Sequence, residues 1–221
     1  MDLLHTAHVP RGSGPFPTVL AIHGWGANAH DLLGLAPLLH QGEALVVCPE
    51  GPVAMQVGPG TIGHGWYPIT AGGSLDREGF DRGVRELRKF LDFVLEHYPA
   101  DPSKLVLLGF SQGGVMAYEL FLREPARFAG LIALSSWLPP EVAEAHAERG
   151  ELEGRPVLVM HGTRDPMIDI ERARDSRKRL IELGLPLTYR EYDMGHEIGP
   201  EALRDLVAWL DDKVISPIRL A

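Results

Sequence analysis

The chain has 221 residues, 45% of them hydrophobic, with a formal net charge of −9 at pH 7. That length fits one domain spanning residues 1–221 with its own core, and the acidic balance argues against nucleic acid or an anionic membrane surface as a partner, because either would repel it. The single cysteine, Cys48, excludes an intramolecular disulfide, and no stretch reaches the roughly 18 apolar residues of a membrane span.

The start, Met1-Asp2-Leu3-Leu4-His5, has no basic region and no long apolar run. It does not read as a signal peptide, so the expected location is cytoplasmic. Leu3 to Val9 can form a short edge strand, followed by the turn cluster Pro10-Arg11-Gly12-Ser13-Gly14-Pro15. Thr18-Val19-Leu20-Ala21-Ile22 reads as a buried strand that runs into His23-Gly24-Trp25-Gly26-Ala27-Asn28, and a helix is expected from about Ala29 to Leu39. Ala44 to Cys48 is a second apolar strand, stopped by Pro49.

Residues 50–74 are rich in Gly and Pro and read as one long loop without periodicity, though they hold Met55, Trp66 and Tyr67. Loops of that length inside a compact domain are usually functional. Helical spacing returns from Asp76 to His97, through Phe80, Val84, Leu87, Leu91, Val94 and Leu95. Asp101-Pro102-Ser103 then reads as a turn into the strand Leu105-Val106-Leu107-Leu108. Further strands are expected at Phe128–Leu134, Val157–Met160 and Leu187–Tyr192, with helices over 170–183 and 200–214 and an excursion carrying Trp137 and a short polar helix over 135–154. Strands alternating with helices imply right-handed crossovers and a mostly parallel sheet. Such a sheet binds ligands at the carboxyl ends of its strands.

The chemistry gathers at those ends. Gly109-Phe110-Ser111-Gln112-Gly113-Gly114 follows four apolar strand residues and opens an apolar helical pattern. Gly-x-Ser-x-Gly between strand and helix is a nucleophile elbow, and Gly109 and Gly113 allow the two backbones to pass where a Cβ would not fit. A serine hydroxyl needs a histidine base, and the histidine needs a carboxylate to fix its tautomer. In this chain order the acid follows the serine and the histidine comes last. Asp165 lies in the loop after the 157–160 strand, with Asp169 as its competitor or as the cap of the next helix. His196 is the histidine that follows the last strand. His23 and His161 precede Gly at strand ends and read as supports, His64 as a residue of the long loop able to line a pocket, and His5, His8, His30, His40, His97 and His146 as solvated. The backbone N–H groups of Trp25 and Gln112 are the expected oxyanion donors. Met55, Trp66, Tyr67, Trp137, Met167 and Ile198 are candidates for an apolar substrate wall. Neither metal nor organic cofactor is required.

These residues resemble the α/β-hydrolase superfamily and, within it, the phospholipase/carboxylesterase group that includes acyl-protein thioesterases. The resemblance covers nearly the whole chain. It rests on His23-Gly24-Trp25-Gly26, the Gly-Phe-Ser-Gln-Gly-Gly elbow, Trp66-Tyr67, His161-Gly162 through Asp165-Pro166, and Gly195-His196. It implies an α/β-hydrolase fold with a seven- or eight-stranded sheet, no large cap domain, and hydrolysis of short- to medium-chain acyl esters or thioesters. The group usually has Leu where Trp25 stands, and the bulkier ring implies a shorter or reshaped acyl pocket. The similar dienelactone hydrolases use Cys as nucleophile, and this elbow has Ser. The expected activity is that of a serine carboxylesterase on a small-molecule substrate, neutral or cationic because the surface is acidic. The alternatives are a deacylase of lipidated proteins or lysophospholipids, and a non-catalytic ligand-binding protein of the same fold. The surface is compatible with a monomer or a small homo-oligomer.

Overall fold

The computed structural model describes residues 3–69, 75–147 and 154–216. Seven strands form the main sheet: β1 (His5–His8), β2 (Phe16–Ile22), β3 (Leu45–Pro49), β6 (Ala100–Phe110), β7 (Gly130–Leu134), β8 (Val157–Gly162) and β9 (Leu187–Tyr192). Their order is β1-β3-β2-β6-β7-β8-β9; β1 runs antiparallel to β3 and every other neighbour is parallel. The helices are α1 (Arg77–His97), α2 (Gln112–Arg123), α3 (Pro140–Ala145), α4 (Ile170–Glu182) and α5 (Pro200–Leu210), the last running on into a wider turn over Asp211–Ile215.

The central strands are apolar on both faces because both faces are covered. Along β2, Leu20 and Ile22 join one core with α1 and α2, while Val19 and Ala21 join the other with α5. In α1 the buried residues Phe80, Val84, Leu87, Leu91 and Val94 recur every three or four positions, so one stripe faces the sheet. Leu105 to Leu108 of β6 are fully buried and paired on both sides by β2 and β7. Among the described residues no helix is long and apolar enough to cross a membrane.

Three expected elements differ. The helix expected over 29–39 is replaced by two short 3-10 turns at Leu33–Leu35 and Leu39–Gly42, because Pro37 supplies no N–H to continue a helix. Asp101-Pro102-Ser103 lies inside β6 as an irregular stretch, with the pairing to β2 shifting register between Phe16 and Thr18. Residues 50–74 are not a uniform loop: β4 (Val53–Gly58) and β5 (Thr61–Gly65) form an antiparallel hairpin. Val53, Met55 and Val57 alternate ahead of Gly58-Pro59-Gly60, a period-two pattern and a turn that mark such a hairpin. Residues 70–74 of that segment and 148–153 of the 135–154 excursion lie outside the described residues.

Candidate active site

Ser111 stands between the end of β6 and the start of α2 at φ 53°, ψ −120°. L-residues avoid this region, and it persists only where the surroundings over-determine it. Here they do. The Ser111 N–H donates to the Leu134 carbonyl (2.9 Å), and its own carbonyl accepts from the Gly114 N–H (2.9 Å) and the Ser136 hydroxyl (2.7 Å). Packing closes the turn: a Cβ on Gly113 would strike the Ile22 carbonyl, one on Gly109 the Gly113 carbonyl, and one on Gly114 the Ser136 side chain.

The loops after β8 and β9 meet beside it. Gly162 has no room for a Cβ because the Met194 and Gly195 carbonyls press on it, and the Arg164 N–H donates to the Met194 carbonyl at 3.1 Å. The His196 Nδ1–H donates to Asp165 Oδ2 at 2.7 Å. The other carboxylate oxygen, Oδ1, accepts from the N–H groups of Met167 (2.8 Å) and Ile168 (2.9 Å). Burial pushes the Asp165 carboxyl up, yet these backbone donors and His196 outweigh it and hold its pKa below the ordinary value. Asp169 instead caps α4, accepting from the Glu171 N–H at 2.9 Å. The Phe110 ring lies 4.9 Å from that of His196, centroid to centroid.

His161, read from the sequence as a support, takes that part beneath Asp165. It is fully buried, and its Nε2–H donates to the Ile168 carbonyl (2.9 Å) while facing Asp165 Oδ2 at 3.4 Å. His146 was expected to be solvated; it is buried against Glu119 at 3.2 Å, because α2 carries that carboxylate on an otherwise apolar face and a buried charge needs partners.

The loop after β2 approaches from the other side. Among the described residues neither the Trp25 N–H nor the Gln112 N–H meets an acceptor, the second because it opens α2. The hairpin holds the loop in place: the Gly26 N–H donates to the His64 carbonyl and the His64 N–H to the Ala27 carbonyl, each at 2.8 Å. The Trp25 ring lies against Gly65, where a Cβ would meet it. His23 is the buried post beneath. Its Nδ1–H donates to the Gly24 carbonyl (2.7 Å), its Nε2 accepts from the Gly51 N–H (3.0 Å), and burial lowers its pKa, so it is a neutral spacer. The Gln112 side chain was not foreseen. Its Oε1 accepts from the Trp66 N–H and its Nε2–H donates to the Tyr67 carbonyl, both at 2.8 Å.

A cavity of about 910 Å³ opens over these groups, lined among others by Trp25, Tyr67, Ser111, Gln112, Trp137, Met167, Arg172 and His196. Of the expected wall residues, Tyr67, Trp137 and Met167 lie on it. Three do not. Trp66 is fully buried in the core, its Nε1–H donating to the His23 carbonyl (2.8 Å). Met55 sits on β4, away from the cavity lining. Ile198 lines a smaller hollow of about 320 Å³ with Asp31, Leu32 and Phe110. His64 bonds the Gly51 carbonyl (3.0 Å) and faces Glu50 instead of the cavity. Among the described residues no group of three or more His, Cys, Asp or Glu side chains is placed to hold a metal ion.

Comparison with known proteins shows the family and the fold. The model of the phospholipase/carboxylesterase family matches residues 8–214. An acyl-protein thioesterase 1 from Gibberella zeae is 29% identical over 216 residues, covering 91% of this chain and 92% of the relative. One from Mycosarcoma maydis is 29% identical over 97% of this chain and 99% of its own. Among solved structures, the esterase PE8 superposes with a TM-score of 0.82 at 25% identity, covering 97% of this chain and all of that one. The Bacillus cereus carboxylesterase gives 0.78 at 24%, covering 95% and 93%, which speaks to the fold. With the family pattern matched from the last residue of β1 into the wide turn after α5, the chain belongs to the phospholipase/carboxylesterase family of α/β-hydrolases.

Proposed function

We propose that the protein is a serine carboxylesterase acting on short- to medium-chain acyl esters. The observation that carries the reading is the His196–Asp165 hydrogen bond of 2.7 Å, opening onto the same cavity as a serine held in a strained turn. His196 takes the Ser111 proton as the hydroxyl oxygen attacks the acyl carbonyl. The Trp25 and Gln112 N–H groups hold the oxyanion that forms. His196 then gives its proton to the leaving alkoxide as the ester C–O bond breaks. Water, deprotonated by His196, attacks the acyl-enzyme and releases the acid with Ser111 restored. Asp165, kept ionised by its donors, stabilises the imidazolium in each half.

The step uses nothing beyond these side chains and backbone groups. Intact-mass labelling with a fluorophosphonate tests it: one adduct on the wild type and none on Ser111→Ala is expected. A well-folded wild type that takes no label overturns the reading and moves the non-catalytic ligand-binding protein to the front. A second reading, a deacylase of thioester-linked acyl groups, draws on the fungal relatives' names. It uses the same residues, and turnover of matched esters and thioesters across chain lengths separates the two. We place the enzyme in the cytoplasm; the sole cysteine is buried, its thiol pushed up to about 12 by burial, and asks for no oxidising compartment.

A further inference from the structure

We infer that the far wall of the cavity, where Arg172 stacks on Trp137 beside Tyr67, is a subsite for a carboxylate carried by the ester substrate. The inference rests on the esterase reading and names its substrate class.

Two independent observations meet there. The first is a cation held without a carboxylate partner. The Arg172 guanidinium carbon lies 4.2 Å above the centroid of the Trp137 ring, and among the described residues it enters no ion pair. On α4 the carboxylates are engaged elsewhere, Glu171 by Arg174, Asp175 by Lys178, and Asp169 by the first turn of the helix, and Glu191 of β9 is held by Arg174; Glu141 on the same wall is not paired with Arg172 among the described residues. Stacking covers the face of the guanidinium and leaves its in-plane N–H groups to bind a carboxylate edge-on, the geometry at which Arg excels.

The second is a buried donor with nothing to donate to. Tyr67 is 5% exposed and lines the same cavity, and its hydroxyl has no hydrogen-bond partner. Its ring packs edge-on against Phe80 and its carbonyl is taken by Gln112, so the hydroxyl is the group left over. A phenol deprived of water is costly unless something accepts from it. Burial raises its pKa and keeps it protonated, a donor, with the Arg172 charge acting against that rise and the Glu141 charge adding to it.

The same wall bears Glu141, and Asp31 lies on the cavity lining as well. Their charge opposes an anion anywhere except where Arg172 compensates it, so the site selects one carboxylate at one position. The net charge of −9 points to neutral or cationic substrates. It acts over distances that salt screens within about 8 Å, whereas a direct Arg contact does not depend on it.

The test is a comparison of kcat/KM for charged and neutral esters, each normalised to its hydroxide-catalysed rate. On the acyl side, mono-p-nitrophenyl glutarate is set against p-nitrophenyl valerate. On the alcohol side, 4-carboxyphenyl butyrate is set against phenyl butyrate. The wild type should prefer the carboxylate in at least one pair, and the pair that shows it assigns that wall to the acyl or the alcohol part. Arg172→Gln should reduce that preference on the order of 10- to 100-fold, mainly through KM, as loss of a charge-assisted contact does. Tyr67→Phe should reduce it about tenfold, and Glu141→Gln should raise it. No preference in either wild-type pair overturns the subsite, as does a preference that Arg172→Gln leaves intact. A wild type that takes the fluorophosphonate but shows no preference loses only the subsite; one that neither labels nor turns over any ester loses the hydrolase reading and the subsite with it.

Discussion

The elbow and the cavity wall are built on opposite plans. Around Ser111 the backbones are so close that Gly109, Gly113 and Gly114 cannot carry a Cβ, and the serine's own backbone N–H and carbonyl are both hydrogen-bonded. Across the cavity, Met167 is 72% exposed and Ile69 60%, and Tyr67 keeps a hydroxyl with no partner. Geometry that must hold to a fraction of an ångström sits on strand ends locked by backbone contacts. The cavity wall instead draws on the segments between, where side chains such as Met167 and Ile69 touch little of the protein.

The comparison breaks first at Asp165. Asp165→Asn should lower kcat on the order of 10⁴-fold, as amidation of a triad carboxylate does in serine proteases. Asp169→Asn, a few residues on, should cost well under 1 kcal/mol of stability because Asn caps nearly as well, with kcat close to wild type. Steady-state kinetics of the two variants side by side decides between them. Next comes Gly113→Ala. The new methyl meets the Ile22 carbonyl, and a loss of about 3 kcal/mol or more in urea denaturation is expected for a site with no slack.

A pH dependence follows from His23. Its pKa is lowered in the fold, so below about 6.5 the unfolded chain takes up a proton that the folded chain refuses. Stability from this group is therefore complete above that pH and is lost as pH falls toward the folded value. The stability advantage of wild type over His23→Gln should shrink between pH 7.5 and pH 5. Equal differences at both pH values would remove His23 as a neutral spacer.

The wall should answer most mildly. Met167→Ala should stay within about 0.5 kcal/mol of wild-type stability and change kcat/KM a fewfold. Trp25→Leu removes a ring that rests on Gly65 at the cavity and should extend turnover to longer acyl chains; an unchanged chain-length profile would place the ring outside the acyl path.

Five strands of the sheet, β2, β3, β6, β7 and β8, were legible because their buried stretches spell continuous apolar runs. The elbow was legible because close packing demands glycine and the demand is written at fixed spacing. The position of the wall was not. Trp66 and Tyr67 are adjacent large aromatics; the Gln112 side chain, bonding one's N–H and the other's carbonyl, and the Trp66 ring N–H on the His23 carbonyl hold Trp66 in the core while Tyr67 lines the cavity. Such side-chain clamps act across some 45 residues of sequence and leave no periodic trace. The hairpin was missed for another reason: its alternation is carried by Val53, Met55 and Val57 alone, while Thr61-Ile62-Gly63-His64-Gly65 has too little apolar content to echo it.

That hairpin makes catalysis a reporter of partial unfolding. The loop carrying the Trp25 N–H is fixed by two main-chain hydrogen bonds to His64, on a two-stranded ribbon outside the seven-stranded sheet. Two-stranded ribbons belong to the part of a protein that opens at low free-energy cost. As denaturant rises, the ribbon is expected to peel away first and release the loop while the sheet still holds Ser111 at its elbow and the His196–Asp165 pair at the strand ends. Esterase activity would then vanish at a lower urea concentration than the helical circular-dichroism signal, and the interval between the two midpoints would measure how firmly the ribbon is sewn on.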